Sequence, residues 1–424
     1  MPEPHRSRGL RIAYLVYRGN PRCGGQGVYT RHLTRELAAL GHSVTVFSGP
    51  PYPELEDPVR LVRVPSLDLY REPDPFRVPK LREFSSPVDV LEFALMCTAG
   101  FPEPLTFSLR ARRILSGRLG HFDVVHDDQT LGSGIAGMID DGWPVIATIH
   151  HPITVDRELD LAHADNWRRR VTLRRWYGFV RMQMRVARRI PRIVTVSESS
   201  RRDIAEQLGV ARERIAVVPV GVDASVFRPL PWLQRVPGRI MTTASADVPM
   251  KGLIPLLEAL AKVRTERADS HLVVVGRPRD KSAIPDVLDR LGLVGAVRFC
   301  SQLSEEEIVE LYAQAELAVV PSLYEGFSLP AIEAMACGVP LVATTGGALP
   351  EVAGRDGVST LLVPPNDPGA LAHGILRALG DERLRLRLGA AGRERVTERF
   401  TWPVTASATA EQYRQLLTLH QPPC

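Results

Sequence analysis

Pro321-Ser322-Leu323-Tyr324-Glu325-Gly326-Phe327-Ser328-Leu329-Pro330-Ala331-Ile332-Glu333-Ala334-Met335-Ala336-Cys337-Gly338-Val339-Pro340 is the stretch on which the fold is read. A short apolar strand, Leu317-Ala318-Val319-Val320, leads into a loop holding Gly326. Ser328 followed by Pro330 marks a helix start, because Ser can cap free N–H groups and Pro in the first turn sacrifices none that would be bonded. The N–H groups left over at a helix start form an anion site. Glu333 follows Glu325 by eight residues, roughly 12 Å if all of it is helical. One carboxylate before the helix and one inside it suit a ligand with phosphate in the middle and hydroxyl-rich groups at both ends. A nucleotide-sugar has that shape.

Outward from this stretch, length and composition bound the answer. A chain of 424 residues fits two domains of about 200 residues each. Hydrophobic residues make up 44% and charged residues 24%, enough apolar material for two cores in a soluble protein. No apolar run approaches the roughly 18–20 residues that span a bilayer. The first apolar run, Leu10 to Tyr17, contains an Arg and enters a polar Gly loop, so it reads as a strand and not as a signal peptide. Five scattered cysteines supply neither a disulfide framework nor a metal pattern, and a reducing cytoplasm is the expected location. The net charge of +5 does not by itself call for nucleic acid. The charge is nevertheless uneven. Between Trp167 and Arg192 there are arginines at 168, 169, 170, 174, 175, 181, 185, 188, 189 and 192, with no acid among them.

The first half alternates strand and helix signals. Leu10–Val16 reads as a strand, 28–40 as a helix and Ser43–Phe47 as a second strand, which together make a βαβ unit of a doubly wound sheet. Residues 50–104 read as a long Pro-rich loop with small elements. Regular strands return at 123–126, 144–149, 193–196 and 215–218. Pro219 to Pro229 is punctuated like a linker. After it the rhythm restarts with strands near 239–243, 271–275, 297–299, 317–320 and 341–344, and the tail is helical from Pro368. The expected division is 1–222, 223–400 and a terminal helix 401–424 crossing back to the first domain. Ligands in such sheets bind at the carboxyl ends of strands.

Several constellations fall at those ends. The loop Arg22-Cys23-Gly24-Gly25-Gln26-Gly27-Val28 lies between strand and helix, where glycine lets backbone approach a phosphate or sugar. It lacks the ending of a P-loop and does not spell the dinucleotide fingerprint, which argues against NTPase and dehydrogenase readings. His150 and His151 end a strand, where imidazole can bond a hydroxyl or a phosphate oxygen. His126-Asp127-Asp128 is read as lying past another strand end, as acceptor-side contacts or solvated loop residues. No metal site is expected, since no third ligand stands at metal spacing from the paired histidines. In the Arg-rich stretch, Val171, Trp176, Val180, Met184 and Ala187 are spaced for one helical face and the arginines for another. That pattern fits either a solvated basic face or a contact with an anionic membrane or an acidic acceptor.

The Glu-x7-Glu stretch, the Gly-Gly loop, the strand-end His, Lys251-Gly252 and the hinge phrase Pro219–Pro229 together resemble the retaining glycosyltransferases of GT-B fold, most closely glycosyltransferase family 4. The resemblance covers the chain from about Gly24 to its C-terminal helix. It implies an α/β protein of two doubly wound, Rossmann-like domains facing across a cleft, with the donor held by the second. It assigns Glu325 to hydroxyls of the transferred sugar, Glu333 to ribose, and the backbone of Gly326, Phe327, Ser328 and Leu329 to phosphate and sugar. Gly25 and Gly27 come near the donor, Gly24 lies on the acceptor side with His126, Asp127, His150 and His151, and the turn around Cys300 and Leu303 reads the base. Lys251, His150 and Glu325 are the expected catalytic set, with no cofactor beyond the nucleotide-sugar substrate.

One departure stands out: the Arg that the family carries before Lys-Gly is replaced here by Ser245 or Ala246. Loss of a guanidinium removes a bidentate fork on phosphate, and Arg277, after the strand ending near Gly276, is expected to substitute. The reading is therefore a retaining transferase using a UDP- or GDP-sugar and an acceptor of unspecified class. Its rivals are a sugar-nucleotide epimerase or phosphorylase of the same fold, a catalytically silent sugar- or nucleotide-binding subunit, and an Arg-driven nucleic-acid binder, which would show steep salt dependence.

Overall fold

A computed structural model describes residues 9–20, 25–162, 164, 166–244, 248–279 and 282–420. Apolar runs bounded by glycine and proline turns build two all-parallel sheets. The first holds β1 Arg11–Val16, β2 Ser43–Ser48, β3 Arg60–Arg63, β4 Val124–Asp128, β5 Val145–Thr148, β6 Arg192–Thr195 and β7 Ile215–Val217, in the order β3-β2-β1-β4-β5-β6-β7. The second holds β8 Arg239–Thr243, β9 His271–Val275, β10 Val297–Cys300, β11 Leu317–Val320, β12 Leu341–Thr344 and β13 Leu361–Val363, in the order β10-β9-β8-β11-β12-β13. In both sheets the order reverses beside the first strand, between β1 and β4 and between β8 and β11. A doubly wound sheet opens its ligand crevice at that reversal.

Strands covered by helices on both faces read as continuous apolar runs. Ile12–Val16 is accordingly fully buried. In the first sheet Leu15, Phe47, Val125, Ala147 and Ile193 pack with Phe107, Ala111 and Leu115 of the helix Glu103–Leu115. In the second, Ile240, Val274, Val319 and Val342 pack with Leu256 and Leu260 of the helix Leu253–Glu266 and Ile375 of the helix Pro368–Gly380.

The first unit runs to Val196 and takes in Ser200–Val218 and the chain from Thr405 onward; the second comprises Ser197–Ser199 and Pro219–Val404. The boundary thus falls after Val218 rather than after Val222. The last helix, Trp402–His420, buries Tyr413 and Leu416 completely, and Arg192 at the head of β6 holds it through Gln412 and Gln415 at 2.6–2.8 Å.

Four local readings of the sequence are corrected. Residues 50–104 contain a strand, β3, and the helix Pro87–Cys97; β3 is a short edge strand with Arg at each end, too polar to stand out. β13 is only three residues long and precedes two prolines, so it carries no periodic signal. β4 does not stop at His126 but continues through Asp128. The Arg-rich stretch is two helices, Trp167–Trp176 and Val180–Ala187, broken at Tyr177-Gly178-Phe179. The break rotates the intended face: the first helix has no fully buried residue and packs chiefly through Trp176 on Tyr70 and Phe101, Val171 is exposed, and Val180, Gln183, Val186 and Ala187 of the second are buried.

Candidate functional site

In the first unit the reversal point joins β1, the helix Gly25–Ala39 that follows it, β4 and β5. Gly27 is buried, and a Cβ there would lie 1.9 Å from the Asn20 carbonyl oxygen, so only glycine lets the chain leaving β1 lie against the first turn. Gly25, the first residue of that helix, is exposed, and Gly24 lies outside the described residues. One turn on, Tyr29 sets its ring edge-on to His150, with centroids 4.7 Å apart.

His150 follows β5 and is oriented on three sides. Its Nε2 lies 2.9 Å from Asp128 Oδ1, and its backbone N–H donates to Gln129 Oε1 at 2.7 Å. Its carbonyl accepts from Ser200 Oγ at 3.1 Å. An ionised carboxylate only accepts, so the Asp128 contact puts the ring proton on Nε2 and leaves Nδ1 as the acceptor a substrate hydroxyl can meet. Gln129, in a left-handed conformation with φ 54°, also donates from Nε2 to the carbonyl of His151 at 2.9 Å, while the His151 side chain is exposed. Asp128 and Gln129 thus orient His150, a role the sequence reading gave to neither. Asp128 was visible there only as part of an acidic pair, and Gln129 carried no signal.

His126 and Asp127 are corrected. Both are fully buried within β4. Both ring nitrogens of His126 are occupied at 2.7 Å, Nδ1 by the Tyr413 hydroxyl and Nε2 by Thr148 Oγ1, and burial pushes its pKa down to about 4. A neutral imidazole with two partners is an internal strut and not a sugar contact. Asp127 accepts from the Leu131 N–H at 2.8 Å, and burial pushes its carboxyl up to about 7. Among the described residues no three His, Cys, Asp or Glu side chains converge as a metal set.

In the second unit the reversal point joins the loop after β8 to the loop after β11. Residues Pro249–Lys251 form one 3₁₀ turn ended by Gly252 at φ 67°. A Cβ on Gly252 would sit 2.0 Å from the Pro321 carbonyl oxygen, and the Leu323 N–H donates to the Met250 carbonyl at 2.8 Å. The two loops are thereby clasped, which brings Lys251 Nζ to 2.9 and 3.1 Å from the two carboxylate oxygens of Glu325. Ser322 Oγ donates to the same carboxylate at 2.7 Å. Two residues 74 positions apart are thus one ion pair, buried at Glu325 and about a third exposed at Lys251.

Ser328 stands at the N-cap of the helix Leu329–Ala336 but does not cap it. Its backbone is at φ 125°, ψ 91°, and its buried Oγ has no hydrogen-bond partner among the described residues. Such an angle is costly for a residue with a Cβ. The first-turn N–H groups are therefore left without a side-chain cap from Ser328, which keeps the anion-binding end open. Gly326 precedes Phe327, which is buried edge-on against Phe400 at 5.7 Å. Glu333, half-buried in the second turn, has its carboxyl pushed up to about 7, first by burial and then by the charge of Glu305.

Cys300 ends β10 and its carbonyl accepts from the Gly276 N–H at 2.7 Å, with Leu303 half-buried beyond. Arg277 is exposed just past β9, on the same sheet edge as Lys251. Ser245 and Ala246 lie outside the described residues.

The Arg-rich stretch is partly consumed internally. Arg175 donates to the Thr98 carbonyl and Arg188 to that of Leu208, while Arg189 pairs with Asp140. No helix among the described residues is long and apolar enough to cross a membrane.

Comparison with known proteins bears on both units. The family model described as Glycosyltransferase Family 4 matches residues 23–226, and that described as Glycosyl transferases group 1 matches residues 234–395. An MMP alpha-(1->4)-mannosyltransferase of Mycolicibacterium hassiacum is 52% identical over 409 residues, 96% of this chain and 98% of the relative. A D-inositol 3-phosphate glycosyltransferase of Thermobispora bispora is 30% identical across 94% of this chain and 91% of that protein. Among solved structures, sucrose-phosphate synthase of Thermosynechococcus elongatus superposes with a TM-score of 0.72 at 23% identity, over 97% of this chain and all of that one. The HepE protein of Anabaena in complex with UDP and glucose gives 0.68 at 17% identity, over 96% of this chain and 99% of that one. At those identities the likeness concerns the fold.

Proposed function

Since the chain belongs to the group 1, family 4 glycosyltransferases and has the GT-B fold, we propose that it transfers a mannosyl unit from a nucleoside diphosphate mannose to an α-(1→4)-linked mannoside, with retention of anomeric configuration. The observation that carries the donor half is the Lys251–Glu325 pair beside the uncapped start of the helix Leu329–Ala336. A cation and a helix N-terminus favour a diphosphate, and a carboxylate already held by Lys251 and Ser322 is oriented to accept from sugar hydroxyls. Identity of 52% along nearly all of a relative named as an alpha-(1->4)-mannosyltransferase supports mannose as the sugar.

The chemistry asked of these residues is limited. When the donor binds, Lys251 and the helix start take up the charge that develops on the departing diphosphate, which is the largest single contribution such a site makes. His150, its tautomer set by Asp128, offers Nδ1 to a sugar hydroxyl on the acceptor side, and orientation supplies much of the rest. With retention, the acceptor hydroxyl approaches from the face the diphosphate leaves, and its proton passes to the leaving phosphate oxygen. No dedicated base is required. Arg277 is proposed as the second cation on the diphosphate.

The test is incubation of the purified chain with GDP-mannose, UDP-glucose or ADP-glucose and an α-(1→4)-mannotetraose, followed by mass analysis. Extension by one hexose with GDP-mannose alone is the expected result. Binding of a donor with neither transfer nor hydrolysis assigns the chain instead to a silent binding subunit.

A further inference from the structure

A small cavity opens at the carboxyl ends of β1, β2 and β3. It is lined by Tyr17, Gly49, Pro50, Ser66, Glu103 and Arg110, among others, and has room for about 10 Å³ of solvent. That is close to the space of a single water or one hydroxyl group. Two polar side chains that line it each have an atom without a hydrogen-bond partner among the described residues. Arg110, only 8% exposed at its side chain, spends one nitrogen on both Asp89 and Glu92, and its other terminal nitrogen, Nη1, has no hydrogen-bond partner among the described residues. Glu103, in the first turn of the helix Glu103–Leu115, likewise has Oε2 unpartnered by any hydrogen bond; Arg18 stands 3.6 Å away. Orphaned buried donors and acceptors are rare because each forfeits its hydration. Both residues line the same water-sized opening at the ligand end of the sheet, which makes them the candidates to meet a partner there.

The charges around the opening select that partner. The Arg110 guanidinium is already matched by Asp89 and Glu92, so it offers a hydrogen bond without the excess positive charge an anion would need. Burial drives the Glu103 carboxyl up to about 8, the nearby Arg18 notwithstanding. Near neutrality Glu103 is therefore chiefly a neutral acid that can both donate and accept. A site that is close to neutral, pairs a donor with a donor-acceptor and admits one hydroxyl excludes phosphate and ammonium groups and suits a polyol. The rim prolines, Pro50 and Pro65, give a sugar ring an apolar surface on which to rest while one hydroxyl enters.

We propose that this cavity is a hydroxyl-binding subsite for the acceptor glycan, in which Glu103 and Arg110 grip one hydroxyl of a sugar unit whose ring stays outside on Pro50 and Pro65. The inference rests on the proposed glycosyl transfer, and it names side chains that would set acceptor preference rather than perform the reaction.

Its test uses the full chain and α-(1→4)-mannotetraose as the probe. Glu103→Leu keeps the volume and removes the hydrogen bonds; it is expected to raise the tetraose KM roughly tenfold, the loss of about one good hydrogen bond, with the GDP-mannose KM unchanged. Glu103→Gln, which still donates and accepts, is expected to stay near wild type. Ser66→Leu, at the half-exposed rim, fills the opening and is expected to behave like Glu103→Leu, which keeps the test alive if the latter folds poorly. Unaltered tetraose KM in both leucine variants, or an equal change in the donor KM, overturns the subsite while leaving mannosyl transfer intact. Saturation-transfer NMR of the tetraose without nucleotide separates the two claims. Binding lost in the leucine variants upholds the subsite even if no transfer occurs, and binding indifferent to them shows a cavity that holds water only.

Discussion

Replacing Lys251 by Ala separates its structural contribution from the catalytic role proposed for it, because the two are expected to have very different magnitudes. Nζ sits 2.9 and 3.1 Å from the Glu325 oxygens, but the lysine side chain is 34% exposed. Solvent screening therefore leaves the pair worth about 1 kcal/mol of stability. Glu325 keeps its bond from Ser322, so its carboxylate is not abandoned. A loss of that size, against the roughly 5–15 kcal/mol of an ordinary domain, leaves the chain folded and lowers Tm by about 2–4 °C. In the proposed reaction the same ammonium meets charge growing on the diphosphate, and removing one such preorganised group is expected to cost about 2.7–4 kcal/mol, or 10²–10³ in kcat. The assay is steady-state mannosyl transfer beside thermal unfolding of the same preparation. Lys251→Arg, which retains charge but not shape, is expected to fall between wild type and Ala. A kcat within threefold of wild type for Lys251→Ala refutes the reasoning, and so does a fall in activity that tracks the fraction unfolded.

Asp128→Asn replaces the carboxylate facing His150 Nε2 by an amide whose NH₂ can donate there and reverse the imidazole tautomer; a fall in kcat of about 10–10² is expected with Tm nearly unchanged, and unchanged turnover counts against His150 as an orienting group. Ser328→Gly relieves the φ of 125° and is expected to raise stability by about 1 kcal/mol in chemical denaturation, whereas a loss shows that the hydroxyl supports the fold. Tyr413→Phe leaves His126 Nδ1 buried without its 2.7 Å partner, and a loss of about 1–3 kcal/mol is expected by the same measurement. His126 also sets a pH dependence. Its folded pKa of about 4 lies below the unfolded value, so the folded chain binds fewer protons and its contribution declines as pH falls from about 6.5 to 4, by up to about 3 kcal/mol. The raised Asp127 and Glu333 carboxyls act oppositely, gaining stability as pH falls from about 7 toward 4. The comparison is therefore between wild type and His126→Gln: a gap in denaturation midpoint that does not change across that window contradicts the burial of a neutral imidazole.

The two sheets were legible because buried parallel strands are apolar throughout and are punctuated by glycine and proline, so Ile12–Val16 and Leu317–Val320 announce themselves. β3 and β13 were not, since an edge strand flanked by arginines and a three-residue strand carry too little pattern. The second unit's site was readable from the spacing of Glu325 and Glu333, but its central contact was not. The Lys251–Glu325 pair depends on Gly252 and Pro321 letting two distant loops touch, a matter of backbone geometry. His150 could be suspected from its place at a strand end, while its partner Asp128 was hidden because β4 runs two residues further than the alternation suggested. His126 shows the reverse error: a histidine beside two aspartates looks chemical, yet a hydroxyl from the last helix, 287 residues away, makes it structural. Gln129 acts through its amide and a left-handed backbone, and neither leaves a mark in composition or spacing.

The account stands or falls on the bond the protein makes. Proton NMR of the pentasaccharide formed from GDP-α-mannose and α-(1→4)-mannotetraose reads both the linkage and the anomeric configuration. A new α-(1→4) linkage, present from the earliest product, is the predicted result, and a β-linked product, or hydrolysis of the donor with no extension, would contradict it.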